Sequence, residues 1–174
     1  MDNYIVLDTE TTGLSSNYDE ILQLSIIDND GNTLYNQYFK PQHCSEWKQA
    51  QAVNGISPEM VKDCPSITAE LPKIQAIFSS VGKIVGYNTQ YDLSFLQATG
   101  VNIAEDTEII DVMRDFAEIY GEWNDYYGEY KWQKLTTCAN YYGYDWGSDT
   151  AHDSLSDCRA TLYCYNQMQR SETE

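Results

Sequence analysis

Four apolar residues, Tyr4-Ile5-Val6-Leu7, run without a break into Asp8-Thr9-Glu10-Thr11-Thr12-Gly13. If one strand carries both segments, Asp8 and Glu10 sit on the same face, roughly 7 Å apart at the Cα atoms. Two carboxylates side by side on a buried strand repel each other and lose hydration, so the arrangement is tolerable chiefly where cations lie between them. The alternative is a polar strand end that caps the next loop. Further strands are predicted at 20–28 and 33–39, joined by Asp28-Asn29-Asp30-Gly31-Asn32, whose Asp-Gly step supplies the positive φ of a hairpin turn. Ser57-Pro58 reads as an N-cap with proline in the first turn, and Ile67, Leu71, Ile74 and Phe78 share one helical face. Strands at 83–87 and 109–110 then alternate with helices at 91–99, 112–120, 131–142 and 153–168. The class is α/β: an antiparallel three-strand meander plus two parallel strands in one mixed sheet flanked by helices.

Composition narrows the function. The 174 residues suit one domain, expected over 1–170 with a solvated tail at 171–174, and 42% hydrophobic content is enough for an ordinary core. No apolar run approaches the roughly 20 residues of a membrane span. With no basic n-region or cleavage site at the start, the expectation is a cytoplasmic protein without a membrane partner. Five cysteines with no C-x-x-C pair read as reduced, mostly buried thiols rather than a disulfide framework or a zinc site. Ten Lys and Arg against 27 Asp and Glu leave a net charge of −17. Such a body repels polyanions at long range, so any nucleic acid must be held by short-range contacts, bound cations or a local basic patch. Nothing in the sequence favours one oligomeric state.

Besides Asp8 and Glu10, two further places carry candidate chemistry. Asp92 lies between a strand and an apolar helix, and reads either as an N-cap carboxylate or as a third acid of one site. In His152-Asp153-Ser154-Leu155-Ser156-Asp157, five helical residues turn about 500°, so His152 and Asp157 cannot share a helix face. His152 therefore belongs in the preceding loop and Asp157 inside the helix, over a buried stripe of Leu155, Cys158, Leu162 and Tyr165. The other histidine, His43, sits in a polar loop and reads as structural.

Taken together, D-x-E-T-T-G-L, N-x-x-Y-D-x-x-F-L about 80 residues later and H-D-x-x-x-D about 60 beyond resemble the three motifs of the DEDDh 3′→5′ exonucleases. That family includes the proofreading subunit of bacterial DNA polymerase III, ribonuclease T and oligoribonuclease. The resemblance extends over nearly the whole chain: residues 21–25 match the family's second strand, 53–57 its H-G-I-T segment and 134–143 its K-L-x-x-L-A-x-x-x-G helix. It implies a ribonuclease H-like fold, with Asp8, Glu10, Asp92 and Asp157 as metal-binding carboxylates and His152 as general base. An all-oxygen set of this kind suits two Mg²⁺ or Mn²⁺ ions. It further implies that Thr11 holds the terminal ribose, Leu14 packs on the terminal base, and Val53, Asn54 and Tyr91 line the nucleotide pocket; for Leu14 and Val53, plain core packing stands beside that reading. Asn54 and Asn88 replace a histidine common in relatives, and Ser154 an alanine.

The function implied is metal-dependent hydrolysis of single-stranded DNA or frayed 3′ ends to 5′-nucleoside monophosphates, with a DNA polymerase or other replication protein as the partner to look for. Trimming of RNA 3′ ends or destruction of short oligoribonucleotides is the alternative enzyme reading, and a non-catalytic nucleic-acid-binding module the third. Residues 120–132, dense in aromatics and acids, read as a tyrosine-rich surface connection in preference to a base-stacking surface.

Overall fold

The computed structural model describes residues 3–147 and 151–171. The chain opens with β1 (Tyr4–Thr11), β2 (Ile21–Asp28) and β3 (Thr33–Tyr38), the antiparallel meander expected from the apolar runs. Helices α1 (Lys48–Asn54), α2 (Pro58–Val61) and α3 (Ile67–Phe78) follow, then β4 (Lys83–Gly86), α4 (Thr89–Ala98), β5 (Glu108–Asp111) and α5 (Val112–Tyr120). A short hairpin, β6 (Trp123–Asn124) and β7 (Glu129–Tyr130), leads to α6 (Leu135–Tyr142) and α7 (Ser154–Ser171). The main sheet has the order β3-β2-β1-β4-β5, with β4 parallel to both β1 and β5.

Strand alternation divides the core in two. Ile5, Leu7, Leu24 and Ile26 face α3 and α4 through Ile74, Phe78, Leu93 and Leu96. Val6, Ile27 and Val85 face the other way, onto Phe116 of α5, Cys138 of α6 and Cys158, Leu162 and Tyr165 of α7. Asp8 and Glu10 have the parity of Val6, so they point toward α7. Pairing of β1 with β4 stops at Val6↔Val85, and β1 runs on to Thr11 with only β2 beside it. The carboxylates thus stand at the carboxyl ends of the parallel strands, where open α/β sheets leave a crevice.

Several local expectations change. The hairpin after β2 is built on Asp28, whose carboxylate accepts from the backbone N–H of Asp30 (2.9 Å) and Asn32 (2.8 Å), and positive φ is confined to Gly31 (85°). The strand expected at 83–87 ends at Gly86, and α4 begins two residues early. Helix α6 starts at Leu135 rather than 131; residue 131 still belongs to the hairpin, where its N–H donates to the Glu122 carbonyl (2.8 Å). Neither α1 nor the β6–β7 hairpin was expected. Asn124 nucleates that hairpin by accepting from the N–H of Tyr126 (3.0 Å) through its side chain and of Gly128 (2.9 Å) through its carbonyl. At the C-terminus α7 runs to Ser171, and the rest of the expected tail, 172–174, lies outside the described residues. The five cysteines are free, with Cys138, Cys158 and Cys164 buried.

Candidate active site

Three elements bring acids to the end of β1. In the β1–β2 register Asp8 lies opposite Ser25 and Glu10 opposite Gln23. Asp92 arrives from the first turn of α4, almost fully buried, and one of its oxygens accepts from both the N–H (2.9 Å) and the hydroxyl (2.6 Å) of Thr9. It is therefore not the N-cap. Asn88 holds that position in a left-handed conformation (φ 65°), its N–H bonded to the Asp111 carboxylate at 2.9 Å.

The third contribution is the start of α7. Asp153 accepts from the N–H (3.2 Å) and hydroxyl (2.8 Å) of Ser156, as an N-cap side chain does, and places Asp157 one turn further in. His152 precedes it in a turn, exposed and with a left-handed φ of 69°. Its backbone N–H donates to Asp157 Oδ2 at 3.2 Å, so the loop and helix positions expected of the two residues both hold. Glu10, His152 and Asp157 each present a ligand atom within 4.8 Å of the others.

Sequence reading missed the device that seats this turn. Gln23, buried in β2, donates to Asp153 Oδ1 (2.9 Å) and accepts from the Ser154 N–H (3.3 Å). Beside it the buried hydroxyls of Ser25 and Ser154 bond at 2.7 Å. The available signal was Gln23 and Ser25 themselves, two polar residues inside the otherwise apolar run Ile21-Leu22-Gln23-Leu24-Ser25-Ile26-Ile27.

Crowding of the acids has a clear electrostatic result. Burial, then the charges of Asp92, Asp157 and Glu10, pushes the Asp8 carboxyl well above the usual range. Burial and Asp157 raise Glu10 to about 8, against a hydrogen bond from Asn54. Asp92 is raised to about 7 by burial, opposed by the two Thr9 bonds. Asp157 is also raised to about 7 by burial, opposed by the His152 N–H. Asp157 Oδ1 is buried without a hydrogen-bond partner among the described residues. An orphaned carboxylate oxygen costs about 1–3 kcal/mol, more if charged, unless something satisfies it. Two carboxylates and an imidazole within ligand reach of one another, one carrying such an oxygen, fit a divalent cation; Asp8 and Asp92 fall outside that group of three but are close enough for their charges to be felt.

Next to Glu10 opens a cavity of about 540 Å³, lined among others by Thr11, Leu14, Val53, Asn54 and Tyr91. Leu14 (88% exposed) and Val53 (60%) are not core residues. The Thr11 hydroxyl bonds the Gly13 carbonyl and the Tyr91 hydroxyl, both at 2.7 Å, and Asn54 donates to the Thr11 carbonyl at 3.3 Å. A Cβ at Gly13 would fall 2.5 Å from the Asp19 carboxylate that binds the Ser15 N–H, so a larger residue there would have to displace that side chain. His43 lies apart, its N–H on Glu20.

Residues 5–165 match the exonuclease family model RNase T. Curated relatives include the PolC-type DNA polymerase III of Bacillus subtilis, 25% identical over 99% of this chain and 12% of its own length. That of Staphylococcus saprophyticus is 29% identical over 95% and 11%. The chain thus spans about a tenth of the length of these relatives. Among solved structures, Escherichia coli exonuclease I bound to single-stranded DNA superposes with a TM-score of 0.75 at 18% identity, covering 100% of this chain and 42% of the other. Exonuclease X bound to 5′-overhanging duplex DNA gives 0.71 at 18% identity, covering 98% and 93%. The shared fold is ribonuclease H-like.

Proposed function

Because the chain belongs to the RNase T exonuclease family, we propose that it hydrolyses single-stranded DNA or frayed DNA 3′ ends in the 3′→5′ direction, releasing 5′-nucleoside monophosphates. The observation that carries the reading is the convergence of Glu10, His152 and Asp157, each with a ligand atom within 4.8 Å of the others, where Asp157 also keeps a buried oxygen unpartnered among the described residues. Asp8, Glu10, Asp92 and Asp157 would hold two divalent cations, Mg²⁺ or Mn²⁺. When bound, these supply charge stabilisation to the entering and leaving oxygens of an in-line displacement at phosphorus.

The chain's own groups do the rest. The exposed His152 ring takes a proton from the attacking water, a transfer for which an imidazole is suited near neutral pH. Gln23 and Asp153 fix the turn that carries it. Leu14 and Val53 offer apolar surface to the terminal base, and the hydroxyls of Thr11 and Tyr91, already bonded to each other, offer polar contacts to the terminal sugar. From the polymerase names of the relatives we extend the proposal to 3′ ends presented by a DNA polymerase.

The test is digestion of 5′-labelled oligodeoxynucleotide and oligoribonucleotide of equal length in Mg²⁺. A ladder shortening stepwise from the 3′ end of the DNA, faster than of the RNA, supports the proposal. Faster loss of RNA would move the substrate class to the ribonuclease reading, and endonucleolytic fragments would refute both.

A further inference from the structure

Away from the terminal-nucleotide cavity, the β6–β7 hairpin displays rings that no core claims. Trp123 and Trp132 are both about half exposed, at 50% and 53%. Trp123 packs edge-on against Tyr130 with ring centroids 5.1 Å apart, and the Arg114 guanidinium lies 5.5 Å over the Trp132 ring. Adjacent exposed aromatics on a soluble chain mark an interaction surface.

Two cavities share Trp132 as a wall. One, of about 380 Å³, is also lined by Lys134, His152 and Asp157; the other, of about 410 Å³, by Arg114, Trp123 and Tyr130. Trp132 therefore borders both the cavity beside His152 and the one on the hairpin. Arg114 and Lys134 line these cavities and Lys131 adjoins Trp132 in sequence, three of the chain's ten Lys and Arg residues in a protein of net charge −17. Lys131 is paired with Glu122 (2.6 Å) and Arg114 with Asp111 (3.6 Å), so phosphates gain little there. The half-exposed rings are what the surface offers.

We propose that Trp132, Trp123 and Tyr130, with Arg114 stacked behind Trp132, form a platform on which bases of a single strand lie as it leaves the active site. The inference rests on the exonuclease reading. It adds the bases that reach the hairpin to the terminal nucleotide held beside Glu10. Single-stranded nucleic acid is favoured over a protein segment because Trp132 also lines the cavity that holds His152 and Asp157, so a strand held there has its next bases beside these rings.

The experiment compares kcat/KM on an oligothymidylate trinucleotide and a twelve-nucleotide oligothymidylate for the wild type, Trp132→Ala, Trp132→Phe and Trp123→Ala. The wild type should prefer the longer strand. Each alanine variant should lose about 5- to 50-fold of that preference, which Trp132→Phe largely restores, because one base–ring stack is removed and replaced. The salt slope should not change, since no phosphate contact is lost. A wild type with no length preference, or alanine variants that keep it, would overturn the platform while leaving trinucleotide hydrolysis, and so the exonuclease reading, intact. If the wild type cleaved neither substrate, the exonuclease reading would fall instead. In chelator, the uncleaved twelve-nucleotide strand should quench tryptophan fluorescence of the wild type, and no quenching would overturn the platform on its own.

Discussion

Adding Mg²⁺ or Mn²⁺ to chelator-stripped protein should expel protons, in a number that follows from the acid cluster. At pH 7 a carboxyl with a pKa of about 8 (Glu10) is about 0.9 protonated, and two at about 7 (Asp92 and Asp157) are about half protonated each. Cation binding needs all three ionised, so about two protons leave from them, and Asp8, raised further, adds to the total. Calorimetric titration in two buffers of different ionisation heat measures the number directly. The same shifts set the sign of a stability effect. These folded-state pKa values exceed the unfolded value of about 4, so the native state binds more protons than the unfolded chain, and chelated protein should lose stability as pH rises from about 4 to 8. The melting temperature of stripped protein should accordingly fall between pH 5 and 8, and saturating cation should restore it. Proton-free binding of cation, with stripped protein at its most stable at pH 8, would refute the crowded-carboxylate account.

Other substitutions separate the roles. His152→Ala should cost about 10²–10⁴ in kcat with KM little changed, while His43→Ala should be nearly silent; equal losses in steady-state assays would mean the base is misplaced. Asp157→Asn keeps an oxygen for the His152 N–H but removes a ligand charge, so turnover should fall at least ~10³-fold while the melting temperature of stripped protein at pH 8 rises. A fall in both would indicate a packing role. Gln23→Leu leaves Asp153 and the Ser154 N–H without their buried partner, costing about 1–3 kcal/mol in chemical denaturation. It should also lower kcat more than it raises KM, because the His152 turn loses its seat; unchanged kcat would confine Gln23 to folding.

Most of the fold was legible because its elements carry strong periodic signals. The apolar runs at 21–27 and 83–86 and the Ile67-Leu71-Ile74-Phe78 face became β2, β4 and α3. The hairpin at 123–130 was not legible, since its strands are two residues each and depend on the Asn124 side chain rather than on alternation. Helix α1 buries none of its residues, so it had no apolar stripe to show. At the site, the acids and His152 were legible as a set of motifs, and the separation of His152 from Asp157 followed from helix geometry alone. Asp92 was harder. A carboxylate at the start of a helix usually caps it, and only the fold shows its oxygen committed to Thr9 across 83 residues of sequence. Gln23 lay in plain view inside β2, but its partners come from α7.

In the proposed reaction, water activated within this acid and histidine cluster attacks the terminal phosphodiester. Digesting a single-stranded oligodeoxynucleotide in ¹⁸O-labelled water with Mg²⁺, followed by mass spectrometry of the released nucleotides, tests it most directly. The account predicts 5′-mononucleotides freed from the 3′ end, each with one ¹⁸O on its phosphate, and none from Asp8→Asn or in excess chelator. Nucleotides bearing a 3′-phosphate, or undiminished release by Asp8→Asn, would contradict it.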